Sequence, residues 1–164
     1  MVRIHVKTIL AVLILISIPA AISWAKAESN SDGETAIKQL VANWSEGFNR
    51  KDPQACAMLF TEDGDFTSVR GDNDHGRPAV EKHYQKVFST FLINAHRTDA
   101  VRSVRFLSPT IASVDTEFEM TGATSPNPNE VAKPVRKGLL TWIVIKQNGR
   151  WYIAIFHELD YPGK

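Results

Sequence analysis

At 164 residues with 43% hydrophobic side chains, the chain has enough apolar material for one packed domain, and disorder is excluded. A formal net charge of +1 excludes the strongly basic surface that nucleic-acid binding needs. Its one cysteine, Cys56, cannot close an internal disulfide, and the neighbouring Met58, Leu59 and Phe60 mark it as a buried, inert thiol.

The N-terminus reads as a cleavable secretory signal over residues 1–27. Arg3 and Lys7 lead, Thr8 to Ile18 is apolar, Pro19 ends any helix, and Ala25-Lys26-Ala27 supplies small residues for a signal peptidase. The apolar run is too short to span a bilayer, which takes about 20 residues. A secreted or periplasmic protein is therefore expected, with residues 28–164 forming a single domain that leaves the membrane once the leader is removed. The leader takes three basic residues and no acid with it, so the mature net charge is −2.

Glu28 to Gly33 is polar and reads as a frayed lead-in. From Glu34 to Arg50, Ile37, Leu40, Val41, Trp44 and Phe48 recur at three- and four-residue steps, the spacing of an amphipathic helix. Asp52-Pro53 stops it and caps a second short helix running to Phe60. Glu62-Asp63-Gly64 is a turn, Asp65 to Val69 a short strand, and Arg70 to Gly76 a polar loop. Arg77-Pro78 opens a third helix to Phe91, burying Val80, Tyr84, Val87, Phe88 and Phe91.

Beyond it the period becomes two. Thr98–Leu107, Ile111–Thr121, Arg136–Gln147 and Trp151–Leu159 are strands, and Asn148-Gly149 marks a tight hairpin. Asp115, Glu117 and Glu119 alternate with Val114, Thr116, Phe118 and Met120. Such acids stand about 7 Å apart, too wide for one ion, so they read as a solvated outer face opposite Arg102 or Arg105. No spacing suggests a metal site or a cofactor. Helices first and antiparallel strands after predict an α+β fold, with helices on one face of a curved sheet. A sheet wrapped in this way leaves a cone with an open mouth, where small ligands sit.

These segments resemble a known family, the nuclear-transport-factor-2-like superfamily with its cystatin-like, cone-shaped fold. Trp44 to Phe48 with Asn49-Arg50-Lys51-Asp52, Leu59 to Phe66, Gly76-Arg77-Pro78-Ala79-Val80, and Asn148-Gly149-Arg150-Trp151 before Phe156-His157 carry the resemblance. The stretch Thr98 to Phe106 points within it to the SgcJ/EcaC and SnoaL-like group. The resemblance implies isomerases, cyclases, dehydratases, hydrolases or inert binding modules on one scaffold. Laid on this chain, the ketosteroid isomerase motif puts the base near Ser68, the tyrosine donor at Trp44 and the protonated carboxyl near Thr141, none of which can do that job. No complete carboxylate–arginine–carboxylate set for epoxide hydrolysis is evident.

The leading expectation is an exported domain that binds a small hydrophobic or amphipathic molecule. Trp44, Phe48, Phe66, Phe88 and Phe118 would line its apolar pocket, with Ser68, Thr141, His83 and His157 as polar groups. The alternatives are a cofactor-free cyclase, isomerase or dehydratase using His157 or His83 as base, and a dimeric scaffold with no ligand. A homodimer is expected because Arg136–Gln147 is apolar on both faces, with Leu139, Thr141, Ile143 and Ile145 on one and Leu140, Trp142 and Val144 on the other. In that expectation Trp142 and its neighbours meet the second copy.

Overall fold

The computed structural model describes residues 18–127 and 129–162, with side chains from Asn30 onward. Residues 1–17 of the expected leader lie outside the described residues. Among those described, no helix is long and apolar enough to cross a membrane.

Helix α1 spans Ile18–Asn49, so the polar stretch before Glu34 is helical rather than frayed. At Gly33 the helix passes close to the Phe106 ring, which comes within 3.0 Å of where a Cβ would stand. The buried stripe is Ile37, Leu40, Val41, Trp44 and Phe48, as the periodicity requires. Helix α2, Pro53–Ala57, starts on the Asp52 cap, whose carboxylate accepts the Ala55 amide at 2.9 Å. It is shorter than expected, because strand β1, Phe60–Thr67, already begins at Phe60. The anticipated turn at Glu62-Asp63-Gly64 is an irregularity inside that strand: Phe60 pairs with Ile153 and Asp65 with Ile155.

Part of the polar loop forms a three-residue edge strand β2, Asn73–His75, pairing back on β1. Helix α3, Arg77–Phe88, stops before Phe91 because the Ser89 and Thr90 hydroxyls bond back to the Gln85 and Lys86 carbonyls at 2.8 and 2.7 Å. Strands β3 (His96–Ser108), β4 (Ile111–Thr121), β5 (Val135–Gln147) and β6 (Arg150–Asp160) then meander. The β5–β6 hairpin turns on Asn148 and Gly149 with φ of 50° and 80°, the geometry that Asn-Gly favours. Sheet order is β2-β1-β6-β5-β4-β3, antiparallel except where β1 meets β6. The chain is thus α+β, with three helices against a curved, six-stranded sheet.

The inner face of the sheet and the helices enclose one core, centred on Trp44, Trp142, Phe156 and Phe60. Trp142 is therefore not on the outer face. Leu140, Trp142 and Val144 are at most 1% exposed, and the Trp142 and Trp44 rings meet edge to face at 5.3 Å. The outward set of β5 is Leu139, Thr141, Ile143 and Ile145, which are half-buried. On β4 the acids point outward: Glu117 pairs with Arg102, Glu119 lies 2.7 Å from Lys137, and Asp115 accepts from Ser103 at 3.1 Å.

Candidate functional site

The polar groups that enter the core converge under α3. Helical spacing buries Val80, Tyr84 and Val87, and it places His83 on the flank of that stripe. The imidazole side chain is 10% exposed and rests on Phe66, with ring centroids 4.6 Å apart. Its Nδ1 lies 2.9 Å from Asp74 Oδ2, at ion-pair distance but off the line of a good hydrogen bond. Burial holds the His83 pKa below its ordinary 6.5, against the upward pull of Asp74 and Asp72. The ring is therefore neutral at neutral pH and free to accept a proton.

Next along α3, the Tyr84 hydroxyl accepts the Trp44 indole N–H at 3.1 Å. Full burial pushes its pKa well above 10, so it stays a phenol, and among the described residues it donates to no acceptor. A cavity of about 30 Å³ lies among Trp44, Phe66, His83 and Tyr84, room for a very few waters.

The inner end of the cavity is charged. Arg97 on β3 is 2% exposed, and its guanidinium lies 4.7 Å from Trp44, 5.2 Å from Phe48 and 4.3 Å from Phe118. Its Nε donates to Asp99 at 3.1 Å and its Nη1 to Glu158 at 3.2 Å. Asp99 also accepts the Ser45 hydroxyl at 2.6 Å, and Asn49 clamps the Arg97 backbone through both its amide and its carbonyl. A carboxylate–arginine–carboxylate set, not evident in the sequence, is therefore present as Asp99–Arg97–Glu158. Of the three, Arg97 and Glu158 reach the cavity.

The outer end is lined by Ser68, Val69 and Arg70, from the turn that runs from Ser68 to Asp72. The Ser68 hydroxyl donates to Asp72 at 2.9 Å and Arg70 donates to the same oxygen at 3.1 Å. The Ser68 bond foremost, with the Arg70 charge, holds Asp72 below its ordinary carboxylate range. The Arg70 guanidinium lies over Phe91 at 4.4 Å.

Of the expected site residues, Trp44, Phe48, Phe66, Ser68 and His83 come together around the cavity. Phe88 and Phe118 stand one layer back: Phe88 stacks on Tyr84 at 5.2 Å, and Phe118 backs Arg97. Thr141 and His157 do not enter. Thr141 donates to Asp115 at 3.1 Å on the outer face, and exposed His157 is its neighbour there. Thr141 faces out because Leu140 and Trp142 on either side of it face in, and for His157 the reason is a bulge in β6. Val144 pairs with Ile153 but Ile143 pairs with Ile155, so Ala154 is an extra residue and the side-chain alternation changes phase. Trp151 and Ile153 face inward before it, Phe156 and Glu158 after it. Sequence reasoning also misses Asp74, Arg97 and Asp99. The opposite charges of Arg97 and Asp99 at a two-residue step on one strand face are the available signal. Nothing local ties Asp74 to His83.

A family model, that of the SnoaL-like domain, matches residues 30–157. Among solved structures the chain is similar to an uncharacterised protein with a cystatin-like fold from Caulobacter vibrioides, at TM-score 0.73 and 19% identity over 80% of this chain and 91% of that one. It is similar to a candidate scytalone dehydratase from Novosphingobium aromaticivorans, at 0.71 and 20% over 83% and 89%. A ketosteroid isomerase-like protein from Erwinia carotovora atroseptica follows at 0.65 and 18% over 79% and 96%. At such identities the likeness shows the fold alone. No curated protein matches the sequence.

Proposed function

Because the chain belongs to the SnoaL-like family, whose scaffold carries isomerases and dehydratases, we propose that it binds a small, mostly apolar molecule under α3 and moves a proton on it. His83 is the base. The observation that carries this reading is a neutral, nine-tenths buried imidazole lying 2.9 Å from Asp74 and against an aromatic wall. Asp74, at ion-pair distance, would stabilise the imidazolium that forms. The phenol of Tyr84, polarised by the Trp44 N–H, would donate to the oxygen on which charge develops. Such chemistry needs no cofactor. Arg70 lines both this cavity and the groove beside it, and in this reading it would swing aside to admit anything larger than a few waters.

Hydrogen–deuterium exchange at carbon in a panel of small aromatic ketones tests this. Wild type accelerates exchange of a bound member, and His83→Gln loses about a hundredfold or more of that acceleration. Binding and exchange both unchanged in His83→Gln would remove the base. A second reading, hydrolysis of a strained ether, is favoured by Asp99–Arg97–Glu158 alone. It requires Glu158→Gln to abolish turnover while His83→Gln does not.

The proposal includes export. The succession of charged lead, apolar run and Ala25-Lys26-Ala27 supports removal of residues 1–27. Protein taken from its natural compartment then begins at Glu28, whereas full-length chain in the membrane fraction would end this part of the reading.

A further inference from the structure

The cavity does not stand alone. On the other side of Arg70, His83 and Val87, which it shares with the cavity, a groove of about 400 Å³ opens to solvent. Its remaining walls include Asp72, Asp74, Lys82 and Lys86. Lys82 and Lys86 stand one helical turn apart on α3, on the side that carries His83.

The acids in reach of these cations are already engaged. Asp74 faces His83, Asp72 is held by Ser68 and Arg70, and Glu81 accepts the Gln85 side-chain amide at 3.1 Å. Among the described residues neither lysine makes an ion pair. The groove therefore presents more positive than negative charge next to the buried base. A molecule too large for a 30 Å³ cavity can extend past the shared wall of Arg70, His83 and Val87 into this groove.

From this juxtaposition we infer that the ligand is an apolar organic acid: its hydrocarbon body enters beside His83 and its carboxylate lies in the groove between Arg70, Lys82 and Lys86. The inference rests on the reading that the cavity under α3 is the binding site, and it adds the class of molecule. The carboxylate offers Arg70 a planar partner in place of Asp72, so the same anion that is bound also draws the guanidinium off Phe91 and opens the way in. Two flexible lysines suit an anion that varies in position from one acid to another.

Benzoate and its uncharged isostere benzamide are the probes, followed through the Trp44 indole resonance at low ionic strength. Benzoate binds about tenfold more tightly, and the preference shrinks as salt is added. In Lys82→Gln/Lys86→Gln the two probes bind within about a factor of two of each other. Both lysines are exposed, and an unchanged unfolding midpoint shows that the fold is intact. Equal affinity in wild type, or a preference that survives the double substitution, overturns the acid while leaving the cavity as the site. If neither probe moves the Trp44 resonance, the site and the acid fall together.

Discussion

Replacing Arg97 with methionine tests the buried charge cluster directly. The arginine side chain is 1% exposed, Asp99 is 0% and Glu158 12%, so all three have given up most of their water. Methionine fills much of the volume among Trp44, Phe48 and Phe118 but leaves Asp99 with the Ser45 hydroxyl as its side-chain donor. Removing one partner of a buried ion pair costs about 3–5 kcal/mol, chiefly through the charge left behind. The loss of favourable contact with three rings acts in the same direction. Against a domain stability of about 5–15 kcal/mol, that is a large share. With a urea slope of about 2 kcal/mol per molar, the midpoint falls by about 2 M. Equilibrium unfolding followed by tryptophan fluorescence reads it. Arg97→Met/Asp99→Asn should recover about 1 kcal/mol or more over Arg97→Met, since the orphaned charge is gone. A shift under about 0.5 M for Arg97→Met, or additivity across the double-mutant cycle, would refute this account of the cluster.

Three further outcomes are expected. Because burial holds His83 below 6.5, the unfolded chain takes up its proton first as pH falls; stability therefore declines below about pH 6.5 until the folded imidazole is protonated too, and His83→Gln flattens that part of the profile. An identical pH profile for the two proteins would show that His83 does not titrate abnormally. Burial pushes the Cys56 thiol up to about 12, so a thiol reagent at pH 8 labels it only at the rate of unfolding, and rapid labelling in native buffer would contradict its burial. We propose that the half-buried, outward Leu139, Ile143 and Ile145 pair two copies across the sheet; sedimentation at micromolar concentration should find a dimer that Ile143→Glu dissociates, and a wild-type monomer would show that this face needs no partner.

The elements that carry a strong period are legible in the amino-acid order alone. The stripe from Ile37 to Phe48, the long strands from Ile111 onward and the Asn148-Gly149 turn all sit where local chemistry puts them. The resemblance to SnoaL-like proteins stands for the same reason, because it rests on those segments and their order. Strand β2 is hidden, since three polar residues at an edge show no alternation. The orientation of β5 is hidden too, because both of its faces are apolar and only packing against Trp44 decides between them. The site is the least legible part. His83 can be named from its helix, but its partner Asp74 comes from the edge strand, and Arg97 meets Glu158 across 61 positions of sequence. Contacts of that range leave no local trace.

The extra residue at Ala154 means that the lining of this pocket is not written in residue identity alone. Were the extra residue accommodated beyond Glu158 instead, Ile155 and His157 would face the interior and Phe156 and Glu158 the solvent. Arg97 would then meet an imidazole in place of a carboxylate, and the aromatic wall would lose the ring now stacked on Phe66. An insertion or deletion in the opposing strand can thus exchange an acid for a base without one substitution in β6. Relatives compared column by column would look alike at positions whose side chains point to opposite sides of the sheet.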